Sequence, residues 1–270
     1  MKLGIMAFLD KDIERKFSET ARLGFETCQL ACWNESFYTD EMAQRVLKAS
    51  EASGVEITAF WCGWPGPAVW NFTEGPLTLG LVPAEYRYIR METLKKGSDF
   101  AKKIAVDCFI THAGFIPEDP NSEVYRALLC ALRNVAARCR ENGQTFLFET
   151  GQETPTTLKR AIQDLQPENA GVNLDPANLL LYGKANPVDA LDILGEYVLG
   201  VHAKDGEYPS DGRKLGEEKA LGEGRVNFPA LIEKLKKLGY QGAITIEREI
   251  KGEKQTEDIL KAKALLEKLI

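Results

Sequence analysis

Eight times along this chain, a short and nearly unbroken apolar run gives way to a stretch whose apolar residues recur at helical spacing. The runs are KLGIMAF (2–8), TCQLAC (27–32), VEITAFWC (55–62), DCFITHAG (107–114), QTFLFET (144–150), AGVNLD (170–175), VLGVHAKD (198–205) and GAITIERE (242–249). Continuous apolar runs, rather than strict alternation with polar residues, suit parallel strands covered on both faces. Between them lie helical patterns such as DIERKFSETARLG, EMAQRVLKASEASG, YRALLCALRNVAARCRENG and FPALIEKLKKLGYQG. Gly24, Gly54, Gly143 and Gly239 close several of these patterns, as helix C-caps should. Eight β-then-α units in 270 residues, with no linker or low-complexity tract, predict one (β/α)₈ TIM-barrel domain over residues 1–270. An open doubly wound sheet is the competitor. Its glycine fingerprint is absent after the first strand, where the chain reads LGIMAFLDKD, and no Walker A motif occurs.

Composition narrows the partners. A net charge of -6 offers no general pull towards nucleic acid or anionic lipid. The N-terminal apolar run is broken at once by Asp10, Lys11, Asp12, Glu14 and Arg15, too early for a signal segment, and no stretch is apolar enough to span a membrane. The six cysteines form no Cys-x-x-Cys pair and mostly lie in apolar runs. They read as reduced, buried residues of a cytoplasmic protein.

Two connections are long: 63–83, rich in Gly, Pro and Trp, and 206–227, charged and punctuated by glycine. Both follow strands, so in a barrel both rise from the C-terminal face, where active sites sit. Trp61, Trp64 and Trp70 make the first a candidate substrate wall or lid.

Strand ends converge on the same face. Run five ends in Glu149, run six in Asp175, run seven carries His202 and run eight carries Glu247. Each alone has an ordinary reading: Asp175 can cap the helix begun by Pro176, and a lone histidine in an apolar strand is usually a hydrogen-bonded core residue. Together they are hard to explain without a shared cation, because carboxylates among Phe, Leu and Ile are costly to bury unpaired. Three carboxylates and one imidazole suit Mn²⁺ first, with Mg²⁺, Co²⁺ or Zn²⁺ as alternatives.

The order Glu, Asp, His, Glu on the last four strands resembles the xylose isomerase-like superfamily of TIM barrels, which includes ketose 3-epimerases, inosose dehydratases and AP endonucleases. LGEGRVNFPALIEKLKKLGYQGAITIERE is similar to that family's "GEG-x-V-[DN]-F … L-x-x-x-G-Y-x-G … E" signature. FETGQETP and NLDPANLLLYGKANP resemble its strand-five and strand-six segments. The resemblance implies a single divalent metal held by Glu149, Asp175, His202 and Glu247. It also implies that Glu149 and Glu247 are the catalytic acid/base pair, working on a keto-sugar through an enediolate. A small carbohydrate substrate follows, and family members often form homo-oligomers.

The departures are informative. Epimerases of the family commonly have a histidine three residues after the metal-binding aspartate, where this chain has Asn178. Asparagine can bond a sugar hydroxyl but cannot carry a proton as histidine does, which keeps a lyase acting on a keto-sugar or keto-inositol as the alternative. A non-catalytic sugar-binding protein is the lesser one. With only His112 and His202, the chain lacks the histidines for the multi-zinc cluster of the endonucleases. His112, Lys204, Gln152, Asn178 and Trp61 are the candidate substrate contacts. For Lys204, two residues beyond His202 and so on the same side, a structural salt bridge is the competing reading. Arg213 and Lys214 are weak candidates for a substrate phosphate, and Asn227 before Phe228 reads as a helix cap.

Overall fold

The computed structural model describes residues 1–165 and 169–270. Its central element is a closed ring of eight parallel strands: β1 (Lys2–Phe8), β2 (Thr27–Cys32), β3 (Glu56–Cys62), β4 (Cys108–Thr111), β5 (Thr145–Glu149), β6 (Ala170–Leu174), β7 (Val198–Ala203) and β8 (Ala243–Ile246). Pairing of β1 with β8, from Lys2 beside Ala243 to Ile5 beside Ile246, closes the ring. The expected TIM barrel is therefore present, and each apolar run contributes its strand. Several strands are shorter than their runs. His112 and Glu247 sit one residue beyond the ladder, although Glu247 still donates its N–H to the Ala203 carbonyl at 3.2 Å.

Two apolar layers hold the ring. Outward-facing Phe60, Phe109, Phe146 and Phe148 pack with helix residues such as Phe17, Leu128, Leu132 and Leu231. Inside the barrel Ala31, Ala59, Trp61, Ile110 and Leu147 form a smaller cluster. Each fully buried Phe or Leu contributes about 1.5–3 kcal/mol. The more populous outer layer therefore carries most of the stability, and the lumen can hold polar groups. The helix-closing glycines behave as expected: Gly24, Gly54, Gly143 and Gly239 take φ values of 76, 73, 77 and 75°. Asn227 caps the helix Phe228–Lys237 by accepting from the Ala230 N–H.

The two long connections are built, not loose. The first carries a short helix, Gly75–Thr78. In the second, Glu218–Lys219 pairs antiparallel with Asp205–Gly206. The buried Asp205 carboxylate accepts the N–H groups of Gly206, Gly222, Gly224 and Val226 at 2.8–3.1 Å. That carboxylate is the physical reason for the glycine-rich turn at 222–224.

Strand β7 carries a local irregularity that matters for the site. Its register with β6 shifts so that Val172 faces Val198 but Asn173 faces Gly200. The skipped Leu199 is half exposed and lies beside Gly171 at the start of the barrel. Gly200 then lies against the Asn173 side chain, where a Cβ would collide with Oδ1. Asn173 cannot yield freely, because its Oδ1 accepts from Gln29 Nε2 at 3.1 Å. We expect Gly200→Ala to destabilise the fold by about 1–3 kcal/mol, the usual cost of overpacking, as read by urea denaturation.

Candidate active site and metal centre

At the C-terminal end of the barrel a cavity of about 730 Å³ is lined by Trp33, Trp61, Trp70, His112, Glu149, Asn178, Lys204 and Glu247, among others. A second cavity of about 580 Å³ opens at the opposite end, lined by residues such as Lys2, Glu56 and Leu199. Only the first adjoins the cluster in which Glu149, Asp175, His202 and Glu247 each offer a ligand atom within 4.8 Å of the others.

His202 is the hub of that cluster. Its Nδ1 lies 3.2 Å from Glu149 Oε1, 3.2 Å from Glu247 Oε2 and 3.7 Å from Asp175 Oδ2. Its Nε2 lies 2.7 Å from Gln29 Oε1. Because Gln29 spends its amide N–H on Asn173, its carbonyl must accept, so His202 donates through Nε2. In the neutral ring that leaves the Nδ1 lone pair facing the carboxylates, the orientation a metal ligand requires. Asp175 is the helix cap its sequence position suggests and keeps its second oxygen free. One oxygen caps the helix Pro176–Leu181 through the Asn178 N–H at 2.9 Å, and the other is buried without a hydrogen-bond partner. His202 Nδ1 and Glu247 Oε2 are likewise buried and unpartnered. Three such atoms converging at ligand spacing are what a divalent cation would satisfy, and the donor set fits a hard or borderline ion.

The charges respond to this crowding. Burial disfavours the imidazolium, yet the carboxylates of Glu149 and Glu247 outweigh it and raise His202 well above its ordinary value. Burial would raise Glu247, but Lys204 and then His202 bring it down to about 2. Burial would also raise Glu149, and His112 and His202 hold it well below the usual carboxylate range. At Asp175 burial prevails and the carboxyl is raised.

The other sequence candidates divide. Trp61 donates its indole N–H to Glu149 Oε2. Asn178 Nδ2 lies 3.4 Å from Glu149 Oε1, and its Oδ1 accepts from Lys204 at 3.4 Å. Lys204 is buried and pairs with Glu249 at 3.0 Å, Glu247 at 3.3 Å and Asp175 at 3.6 Å. The salt-bridge reading of Lys204 is thus realised, and the residue also lines the cavity. His112 turns Nε2 to Glu149 at 3.4 Å and leaves a buried, unpartnered Nδ1. Gln152 departs from expectation: it is buried but does not line the cavity. Arg213 and Lys214 lie in an exposed segment and do not line the cavity either.

A family model of the xylose isomerase-like TIM barrel matches residues 17–269. The chain belongs to that family. Within it, a solved xylose isomerase domain protein from Planctomyces limnophilus is 33% identical, with a TM-score of 0.94, over 99% of this chain and 96% of that one. A D-tagatose 3-epimerase-like protein has the same fold at 20% identity and TM-score 0.76, covering 100% and 97% of the two chains. A probable 3-DHS dehydratase from Bacillus anthracis does so at 17% and 0.70, covering 99% of each.

Two residues of this xylose isomerase-like barrel carry no sequence signal for the site. Gln29, inside TCQLAC, orients His202 from across the lumen. Arg90, fully buried in the helix Ala84–Lys103, donates to the carbonyls of Pro65, Pro67, Thr78 and Gly80 and lies over the rings of Trp64 and Tyr86. It ties down the whole 63–83 connection and hence its tryptophans.

Gln29→Leu removes the acceptor that fixes the imidazole. We expect divalent-metal affinity to fall about 10–100-fold, measured by calorimetric titration of Mn²⁺ into chelator-stripped protein. Arg90→Met leaves four backbone carbonyls without their donor. It should cost at least about 2 kcal/mol and speed amide hydrogen exchange across 63–83 more than elsewhere.

Proposed function

We propose that this chain is a divalent-metal-dependent sugar isomerase or epimerase that removes an α-proton from a keto-sugar through an enediolate. The observation that carries this reading is the pair Glu149 and Glu247. They approach His202 from the two ends of a four-strand arc, each at 3.2 Å, and both face the cavity. Two carboxylates on either side of one substrate position are the arrangement that epimerisation needs, one taking a proton and the other returning it on the opposite face.

Both glutamates are held ionised, the state from which a base must start. Trp61 and Asn178 fix the Glu149 carboxylate, so its position does not depend on substrate. His112 lines the same cavity and suits a contact to a sugar oxygen. Glu149, Asp175, His202 and Glu247 would hold the metal, for which Mn²⁺ is the first choice. When bound, the ion supplies positive charge beside the substrate oxygens and offsets the developing enediolate. The epimerase fold of the solved neighbours supports this class, and we read the enzyme as a single-domain cytoplasmic protein of carbohydrate metabolism.

A lyase on the same site is favoured by one feature. The Lys204 ammonium is buried beside Glu247 and raised well above its ordinary value: burial opposes the charge, but Glu247, Glu249 and Asp175 outweigh it. A fixed cation there can stabilise a departing hydroxyl, and a dehydratase shares this fold.

Incubating metal-loaded protein in D₂O with a panel of keto-sugars and keto-polyols separates the outcomes. Deuterium at the α-carbon with the skeleton intact supports epimerisation or isomerisation, and loss of water supports the lyase. We expect Glu149→Gln and Glu247→Gln each to lower exchange at least about 100-fold. Metal-loaded wild type that exchanges no ketone defeats both versions.

A further inference from the structure

All four tryptophans of the chain stand on one side of the cavity, and they form a graded path outward from the carboxylates. Trp61 is buried and donates to Glu149. The ring of Trp33 lies 5.1 Å from that of Trp61 and 5.2 Å from that of Trp64. Trp64 is buried and meets Trp70 at 6.4 Å, and Trp70 meets His112 at 5.1 Å. The outer members are open: Trp33 is 40% exposed, Trp70 39%, and Phe8, at the end of β1, 49%.

Large aromatic faces left in water at the rim of a cavity are costly unless something covers them. This wall is also held rigidly. The Trp33 indole lies against Gly63, where any Cβ would fall within the ring. Arg90 fixes the loop that carries Trp64 and Trp70 by four hydrogen bonds to backbone carbonyls. A lid that opened widely would have to break those bonds together. The wall is therefore preformed, and its exposed faces are a surface for binding.

We propose that Phe8, Trp33 and Trp70 form an outer subsite for a second ring carried by the substrate, so that the enzyme takes a glycoside-like keto-sugar in preference to a free monosaccharide. The subsite is continuous with the catalytic groups through Trp61. The apolar face of a pyranose or an aromatic aglycone stacks on such a platform, while the polar edge of the inner ring meets His112, Asn178 and Lys204. This rests on the keto-sugar reading of the inner site.

Tryptophan emission reports on the wall directly, because every tryptophan belongs to it. Metal-loaded protein is titrated with phenyl β-D-glucopyranoside and with methyl β-D-glucopyranoside, which share the inner ring and differ in the outer group. The phenyl compound should reach half-saturation at about tenfold lower concentration, the scale of one stacked apolar face. Trp33→Ala and Trp70→Ala should each close that gap, while Trp33→Phe, which keeps a ring, should retain most of it. Equal half-saturation for the two glycosides, a gap unchanged in both alanine variants, or no response to either compound overturns the subsite. The D₂O assay keeps the two readings apart. Exchange into keto-sugars without any preference for a second ring removes the subsite and leaves the reaction, whereas a phenyl preference without exchange does the reverse.

Discussion

Three carboxylates buried at the end of an apolar barrel are the constraint around which the rest of this molecule is arranged. Glu149 and Asp175 have almost no contact with solvent, and Glu247 has little. Among the described residues, His202, Lys204 and His112 stand beside them to balance the charge. An isolated ionised carboxylate in such surroundings would cost several kcal/mol or more, so the site must bring in protons or a cation. The raised imidazole shows which way the balance runs. With no metal beside it, His202 is driven towards its protonated form by the carboxylates. A divalent ion and that proton are competing answers to one electrostatic demand, and an ion bound there would displace the proton. Gln29, Asn173 and Gly200 act beneath this balance by setting which nitrogen of His202 faces the carboxylates.

The barrel also sorts its mouth by strand. In chain order the residues at or just beyond the strand ends are Phe8, Trp33 and Trp61 on β1–β3, then His112 on β4. Glu149, Asp175, His202 with Lys204, and Glu247 follow on β5–β8. One half of the rim is aromatic, the other ionic, and His112 touches both, meeting Trp70 on one side and Glu149 on the other. A sugar has an apolar face of C–H bonds and a polar edge of oxygens. A mouth divided in this way orients such a molecule before any chemistry begins.

Much of this was legible in the sequence, for a definite reason. Residues of a parallel barrel strand alternate between lumen and helix layer, so a charged side chain near the end of an apolar run has one place to go. Glu149, Asp175, His202 and Glu247 follow that rule and meet. The rule loses force farther into the loops, and Gln152, three residues past β5, does not line the cavity. It is also silent about long-range pairing. Gln29 meets His202 across 173 positions of sequence. Arg90 sits in a charged helix, YRYIRMETLKK, that reads as a solvated face. Its burial depends on where the 63–83 loop folds back, which no local pattern encodes.

Asn178 brings the charge argument and the reaction together. Its amide spans Glu149 on one side and Lys204 on the other, at 3.4 Å each. A histidine at this position could take a proton when the carboxylates demand one, and would share the charge balance with Lys204. Asparagine cannot ionise, so the positive charge on this flank rests with Lys204 alone, whose three carboxylate neighbours hold it protonated. The consequence is a division of labour among the groups the cavity exposes. In the proposed reaction proton transfer falls to Glu149 and Glu247, and Lys204 offers a charge of fixed sign and place. Such a charge stabilises an oxygen that gains negative charge during reaction, whether that oxygen belongs to an enediolate or to a departing hydroxyl. On that proposal the inner site generates the anion, and the fate of that anion depends on where the substrate's oxygens lie relative to Lys204.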